Sequence, residues 1–426
     1  SDDQYLRQYN FASTDVLENE LYLERFSGRN YAVGRILSFQ DTRIREEQTD
    51  QPGVLPELDL RFVGDPNALL GGRWNLNLSA LNLQRDGSGQ DMSRVVAEAG
   101  WEKRYVTGGL LSTIALSARG DAYQIHDRDL SLLPAAASGT DAEETETRAF
   151  ARAHMTTSYP LVRAFERMQA VIEPVAALTI APVIAAQNNA VPNEDSQDVQ
   201  LDASNLFNAD RFPGMDRIED GSRATYGLRT GLYGYQGSYL TAFAGQSRRF
   251  DQNDNPFPGG SGLSRQESDI VGQLAAQYDG RFGADYRFQI DSAQLDSQRH
   301  ELDAYGKWGR LRLDSRYLFA KGLEGTDLTE SREQILGAAA FDLTKNWTLR
   351  GGALYDLGES PGLRKALLGI DYLGCCVNFS LAAERSLTRD SSGDRGTDIM
   401  LRMGLKNIGD FQTSGSGDWT AGNHAK

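Results

Sequence analysis

The chain has 426 residues, with 44 lysines and arginines against 59 aspartates and glutamates, and a net charge of −15 at pH 7. That acidic balance argues against nucleic acid as a partner, because phosphate contacts need a basic surface. No run approaches the roughly 18 apolar residues of a transmembrane helix, which excludes a helical membrane protein but not a β-barrel, whose strands are apolar on one face only.

No shift in composition divides the chain. One large all-β unit over residues 1–406, followed by a polar C-terminal tail over 407–426, is therefore expected. Apolar residues alternate at Trp74, Leu76 and Leu78, at Tyr226, Leu228 and Leu232, and at Leu311, Leu313, Tyr317 and Phe319. They alternate again at Trp347, Leu349, Ala353 and Tyr355, opposed by Thr348, Arg350 and Asp356. This period of two is the strand signal, and the whole chain divides into about 19 such segments of bilayer-crossing length. Arg229, Arg350 and Asp356 fall on the polar phase, which in a barrel faces the lumen. Pro174 interrupts an alternating stretch and removes a ladder donor, so it marks a bulge or weak pairing.

The connections between segments alternate in length. Short turns are expected at 27–30, 236–238, 279–281, 308–310, 344–346 and 374–376. Long polar loops are expected at 41–56, 122–145, 183–222, 250–264, 321–331 and 386–396. A soluble sandwich has no reason to place every long loop at one end, whereas an outer-membrane barrel has short periplasmic turns and long outer loops. If 374–376 is periplasmic, counting back places residues 1–15 at the outer surface. A complete barrel starts and ends in the periplasm with an even strand number, so an odd number of upstream strands is expected in the whole protein.

The outer loop 183–222 is the longest and the most acidic, with Glu194, Asp195, Asp198, Asp202, Asp210, Asp216, Glu219 and Asp220. A solvated surface loop is the plain expectation. The sharper one is a set of carboxylates sharing divalent cations with a phosphorylated glycolipid headgroup. His126, His154, His300 and His424 lack ligand-spaced partners, so no metal site is expected, nor any cofactor. Nucleophile elbows, phosphate loops and dinucleotide fingerprints are absent, which disfavours an enzyme.

Near the end, Ala366, Leu368, Ile370 and Tyr372 alternate toward Cys375-Cys376, and Val377, Phe379, Leu381 and Ala383 alternate away from it. The only two cysteines therefore share one tight turn. Bonding neighbours to each other needs a strained eight-membered ring, so each is expected to bond a cysteine outside this chain. In the terminal strand, Thr397, Ile399, Leu401, Met403 and Leu405 form one face. Its apolar members are expected to meet lipid while Arg402 points inward.

Several segments are similar to a known family, the outer-membrane lipopolysaccharide-assembly proteins called LptD. They are Asp3-Gln4-Tyr5-Leu6-Arg7-Gln8-Tyr9, Ile172-Glu173-Pro174-Val175, Asn205-Leu206-Phe207, and Arg211-Phe212-Pro213-Gly214-Met215-Asp216-Arg217-Ile218-Glu219. Trp347-Thr348-Leu349-Arg350-Gly351-Gly352 and Leu368-Gly369-Ile370-Asp371-Tyr372-Leu373-Gly374-Cys375-Cys376 continue the order. The resemblance implies a periplasmic β-jellyroll followed by a barrel of about 26 strands plugged by the lipoprotein LptE. It further implies that lipopolysaccharide arrives from a periplasmic LptA bridge and leaves sideways between the first and last strands, here Thr397 to Leu405. The matching cysteines would then bond cysteines of the N-terminal region. The competing expectations are a general porin or a ligand-gated transporter, and after them a surface hydrolase.

Overall fold

The computed structural model describes residues 16–41, 51–85, 89–128, 144–197, 199–251, 255–322, 331–387, 396–405 and 409–412. Its first strands are β1 (Val16–Ser27), β2 (Asn30–Asp41), β3 (Gly53–Val63), β4 (Arg73–Gln84), β5 (Asp91–Thr107), β6 (Leu110–His126) and β7 (Glu144–Ser158). Next come β8 (Leu161–Ala164), β9 (Met168–Ile180), β10 (Arg223–Gly234), β11 (Tyr239–Arg249), β12 (Ile270–Tyr278), β13 (Phe282–Ile290) and β14 (Ser297–Trp308). The chain closes with β15 (Leu311–Ala320), β16 (Arg332–Asp342), β17 (Trp347–Asp356), β18 (Gly362–Leu373), β19 (Val377–Ser386), β20 (Thr397–Leu405) and β21 (Gly409–Gln412). All 21 belong to one antiparallel sheet in which sequence neighbours pair, except that β7 and β8 both pair with β9.

β7 and β8 are two pieces of one crossing, because both pair with β9, along Val175–Ile180 and Gln169–Ile172 respectively. The break falls at Tyr159-Pro160, opposite Pro174, whose carbonyl accepts from the Tyr159 N–H at 3.1 Å. The weak pairing read from Pro174 is thus real. Counting β7 and β8 as one and setting the four-residue β21 aside leaves 19 described crossings, as the alternation predicts.

The connections separate by end. At one end lie the two-residue turn closed by Thr107 and Leu110, where Gly108 and Gly109 have φ of 58° and 86°, and the turn around Cys375 and Cys376. Positive φ at both central residues is what a tight hairpin turn of the sheet's own twist requires, and glycine takes it without strain. The opposite end carries the long connections, of which 181–222 is the longest. The alternation is looser than expected. Residues 64–72 make a longer link at the short-turn end, and 85–90, 291–296 and 357–361 are short links at the other. Pro56 lies inside β3, and β5 and β6 run on to 17 residues each, so the loops expected at 41–56 and 122–145 are shorter than read.

The two faces of the sheet are inverted relative to a soluble protein. Leu302 is 37% exposed and Leu368 63%, whereas the alternate phase buries Arg148 at 4% and Arg223 at 1%. An apolar exterior over a charged interior fits a wall surrounded by hydrocarbon. Aromatic residues mark its height. Trp308 and Trp347 stand on the outer face by the short turns, while His300, stacked on Tyr286 at 5.7 Å, and Tyr355 stand towards the other end. On β14 and β17 these markers are eight residues apart, about 26 Å along a strand. At a barrel tilt of about 40° that is about 20 Å of height, close to the apolar band of an outer-membrane barrel.

In the terminal strand the apolar phase does point outward. Ile399 is 71% exposed, and on the inner side Met400 packs with Leu367 and Ala382. On the outer edge of β20, Arg402–Leu405 pair with Gly409–Gln412, within residues 407–426. Antiparallel hydrogen bonding from the chain's own next residues satisfies backbone groups that hydrocarbon cannot. Among the described residues no pairing joins β1 to β20 or β21.

Candidate functional site

The period-two rule that exposes leucine outside also lines the inner face with arginine near the long-loop ends of β5, β7, β10 and β11. Arg94, Arg148, Arg152, Arg223 and Arg249 all sit there, all buried. What buries them is the acidic loop 181–222, which folds back against the inner face and carries the short helix α1 (Ala185–Ala190).

Asp216 is fully enclosed and is the central acceptor. Arg94 Nη1 donates to its Oδ1 at 2.6 Å and to Asp195 Oδ2 at 2.7 Å. The Tyr123 hydroxyl donates to Asp216 at 3.2 Å, and the backbone N–H groups of Glu194 and Asp195 donate to its Oδ2 at 2.7 and 3.2 Å. Asp195 in turn accepts from the N–H groups of Met215 and Asp216 at 3.0 and 2.9 Å. The two limbs of the loop are therefore stitched to each other and to β5 through one ion cluster. A Cβ at Gly214 would overlap Asp195, so the approach needs glycine there.

Arg148 spans the next layer, donating to Asp121 Oδ2 at 2.8 Å, Asn188 Oδ1 at 3.1 Å and the Asp216 carbonyl at 2.7 Å. Glu219, also fully enclosed, is bound by the Arg211 guanidinium, and Arg223 Nη1 is 3.2 Å away. Asp220 accepts from the Ile184 N–H at 2.7 Å and from Arg249 at 3.2 Å. Apolar clusters complete the seal. Leu201, Leu206 and Phe212 pack with Val271 of β12 and with Phe257 and Leu263 of the next loop, Phe212 stacking on Phe257 at 4.5 Å.

Charge and burial oppose each other at these carboxyls. Burial alone would raise Asp195, but Arg94 and the N–H groups of Met215 and Asp216 hold it at about 2. Glu219 is likewise held below its ordinary value, burial being overcome by Arg211 and then Arg223. Asp216 and Asp220 are raised, because burial outweighs their partners.

The solvated-loop expectation is thus corrected, since Asp216, Glu219 and Asp220 are inaccessible to water. The cation reading is not supported, because arginine neutralises them and the described residues hold no cluster of metal ligands. Glu194 pairs with Arg85 at 2.7 Å, and Asp202 caps a local turn through the N–H groups of Ser204 and Asn205. Asp198 lies outside the described residues. As read from their phase, Arg229 lies 5.7 Å from the rings of Phe207 and Phe243, and Arg350 pairs with Asp371 at 2.9 Å. Cys375 and Cys376 are exposed free thiols with Sγ atoms 3.1 Å apart, well beyond a roughly 2.05 Å disulfide. Arg94, Arg148, Arg152, Arg223 and Arg249 and the aromatic belts escaped the sequence reading, although their strand phase carried the signal.

A strand wall with an apolar, aromatic-belted exterior and a polar, loop-filled interior defines an outer-membrane β-barrel protein. The family model described as LPS transport system D, LptD, matches residues 1–347, and the chain belongs to that family. It is 25% identical to the LPS-assembly protein LptD of Nitrosococcus oceani, over 96% of this chain and 54% of that protein. It is 24% identical to the protein of the same name from Acinetobacter baumannii, over 94% of this chain and 52% of that one. The chain spans about half the length of the curated relatives it matches. Among solved structures it is similar to the siderophore receptor PirA of A. baumannii, with a TM-score of 0.44 at 7% identity, covering 94% of this chain and 73% of that one. A ferric enterobactin receptor mutant, PfeA, of Pseudomonas aeruginosa gives 0.42 at 9% identity, over 91% and 69%.

Proposed function

We propose that this chain is the part of a lipopolysaccharide-delivering translocon that carries an internal plug and the closing strand of a lateral gate. The observation that carries the reading is a barrel wall of this family whose lumen is occupied by its own loop. Arg94, Arg148, Arg223 and Arg249 hold that loop in place. A filled lumen disfavours an open porin and favours sideways release, since acyl chains leaving through a seam never cross water. The seam involves Thr397, Ile399, Leu401, Met403 and Leu405 and the first strand of the whole barrel. The pairing of β20 with β21 stops at Arg402, which leaves the long-loop half of β20 as the part that meets that strand.

In the whole protein the long-loop end faces the cell exterior and the cysteine turn faces the periplasm. A jellyroll joined to an LptA bridge delivers lipopolysaccharide from below, and LptE occupies the remaining lumen. Cys375 and Cys376 tie the wall to cysteines of the N-terminal region. The test is to cross-link Ile399 to the first strand in the full-length protein. Surface lipopolysaccharide should fall to background while the barrel keeps its heat-resistant fold. Normal surface lipopolysaccharide with the seam fully cross-linked would overturn the reading.

A further inference from the structure

Between β7 and β12 the outer face of the wall is hollowed. A groove of about 720 Å³ runs over Thr157, Pro174, Ala176, Leu228, Ala244 and Ile270. Two features make it. The ladder is interrupted at Tyr159-Pro160 opposite Pro174, and the outward side chains beside the break on β9 and β11, Ala176 and Ala244, are small. Behind them the wall is thin. Gly245 faces inward, and a Cβ there would lie 2.6 Å from Leu206 Cδ2 of the lumenal loop. The loop's apolar cluster and the groove therefore lie back to back across β10 to β12.

No charged side chain lines the groove, whose polar lining residues are Thr157, Ser158, Tyr159, Tyr226 and Gln246. At the long-loop end the Tyr226 hydroxyl donates to Gln246 Oε1 at 2.8 Å. Two residues further along the same outer face, about 7 Å away, stands Arg248. Its side chain is 55% exposed, with Nη1 3.7 Å from Glu267. The hollow is continuous with the apolar band that faces the bilayer, so its occupant comes from the membrane, and its volume lies in the range of specific ligand sites. Arg248, beyond Tyr226 and Gln246, orients that occupant, with its anionic headgroup at the long-loop end and its hydrocarbon toward Pro174.

We propose that this groove is a lipid-binding site that takes an acyl chain of lipopolysaccharide, with a headgroup phosphate at Arg248. The proposal rests on the reading that the long-loop end faces the lipopolysaccharide leaflet. It is tested in the full-length protein in its native outer membrane, with the photo-reactive residue p-benzoylphenylalanine placed at Ile270 on the groove rim or at Leu302 on the flat wall. Membranes are extracted in detergent, washed and irradiated, and adducts are identified by mass spectrometry. The expected result is a lipopolysaccharide adduct at Ile270 at least tenfold above that at Leu302. Ala244→Phe in the same chain should abolish it by filling the groove, and Arg248→Gln should lower it several-fold. Equal yields at the two positions, or a phospholipid or protein adduct at Ile270, would overturn the site. Such a failure is separable from failure of the translocon reading, which the seam cross-link tests independently.

Discussion

Replacing Asp216 by alanine should free the lumenal loop. The Asp216 carboxylate accepts from Arg94 at 2.6 Å, from the Tyr123 hydroxyl at 3.2 Å and from two backbone N–H groups at 2.7 and 3.2 Å. Truncation leaves those two amides without an acceptor, leaves the Tyr123 hydroxyl only the Met215 carbonyl at 3.4 Å, and leaves Arg94 with Asp195 alone. Removing one member of a buried ion pair costs about 3–5 kcal/mol, and each orphaned buried donor about 1–3 kcal/mol. These terms share atoms and do not add, so about 3–5 kcal/mol is the expected loss in docking free energy. At tenfold per about 1.4 kcal/mol, transient opening should become roughly 100- to 3,000-fold more frequent. Amide hydrogen exchange on the full-length protein reads this directly. The reporters are the amides of Ile184, Asn188 and Ile218, which bond to Asp220, the Ile184 carbonyl and the Asn188 side chain. Their exchange should accelerate by that factor while the amides of β14 and β15 keep their rates. Acceleration below about threefold at all three would refute the claim that the ion cluster holds the loop.

Acid should undock the loop late. Asp195, held at about 2, and Glu219, also depressed, stabilise the docked state above the ordinary carboxylate range and lose that contribution only as pH falls through their lowered values. The raised Asp216 and Asp220 run the other way and blunt the loss. Pepsin should therefore cut within 181–222 slowly at pH 4 and faster towards pH 2, and rapid cutting at pH 4 would contradict this. On the wall, Leu302→Arg places a cation against hydrocarbon and should cost about 2–4 kcal/mol, seen as less heat-resistant folded barrel in membranes. Asn77→Arg, on the inner phase of β4, should leave that band unchanged. Because two bridges from one turn close nearly the same loop, Cys375→Ser or Cys376→Ser alone should be tolerated in the full-length protein. The double variant should lose assembly, and equal phenotypes for all three would count against the tether.

Local periodicity made the wall legible and left the plug hidden. A strand is written in every second residue, so the crossings, the outward Ile399 and Leu302, and the lumenal phase of Arg229 and Arg350 follow from spacing alone. Pro174 gave the weak pairing, though not that the break itself would fall one strand away at Pro160. The loop 183–222 misled because acidity is a local property and neutralisation is not. Asp216 meets Arg94 from 122 positions away, and Asp220 meets Arg249. The usable signal was on the strands, where Arg94, Arg148, Arg152, Arg223 and Arg249 occupy lumenal phase near one rim. Five buried guanidinium groups need carboxylates, and this loop holds the densest supply.

The loop's attachments are one-sided, and that bears on how a translocon of this build works. The ion pairs described for it run to Arg85, Arg94, Arg152, Arg223 and Arg249, on or beside β4 to β11. The inner face of β16 to β19 is different, bearing Ala338, Ala340, Gly352, Gly369 and Ala382. A hollow of about 250 Å³ lies there, with Arg312, Arg350 and Asp371 in its lining. Small side chains open that hollow, while the loop packs on the inner face of β4 to β12. On the proposed reading, a second protein or a lipid in transit has room beside β16 to β19, next to the closing strand β20. If the translocon reading holds, the packing of the loop on β4 to β11 leaves the side nearer β20 as the route toward the proposed seam.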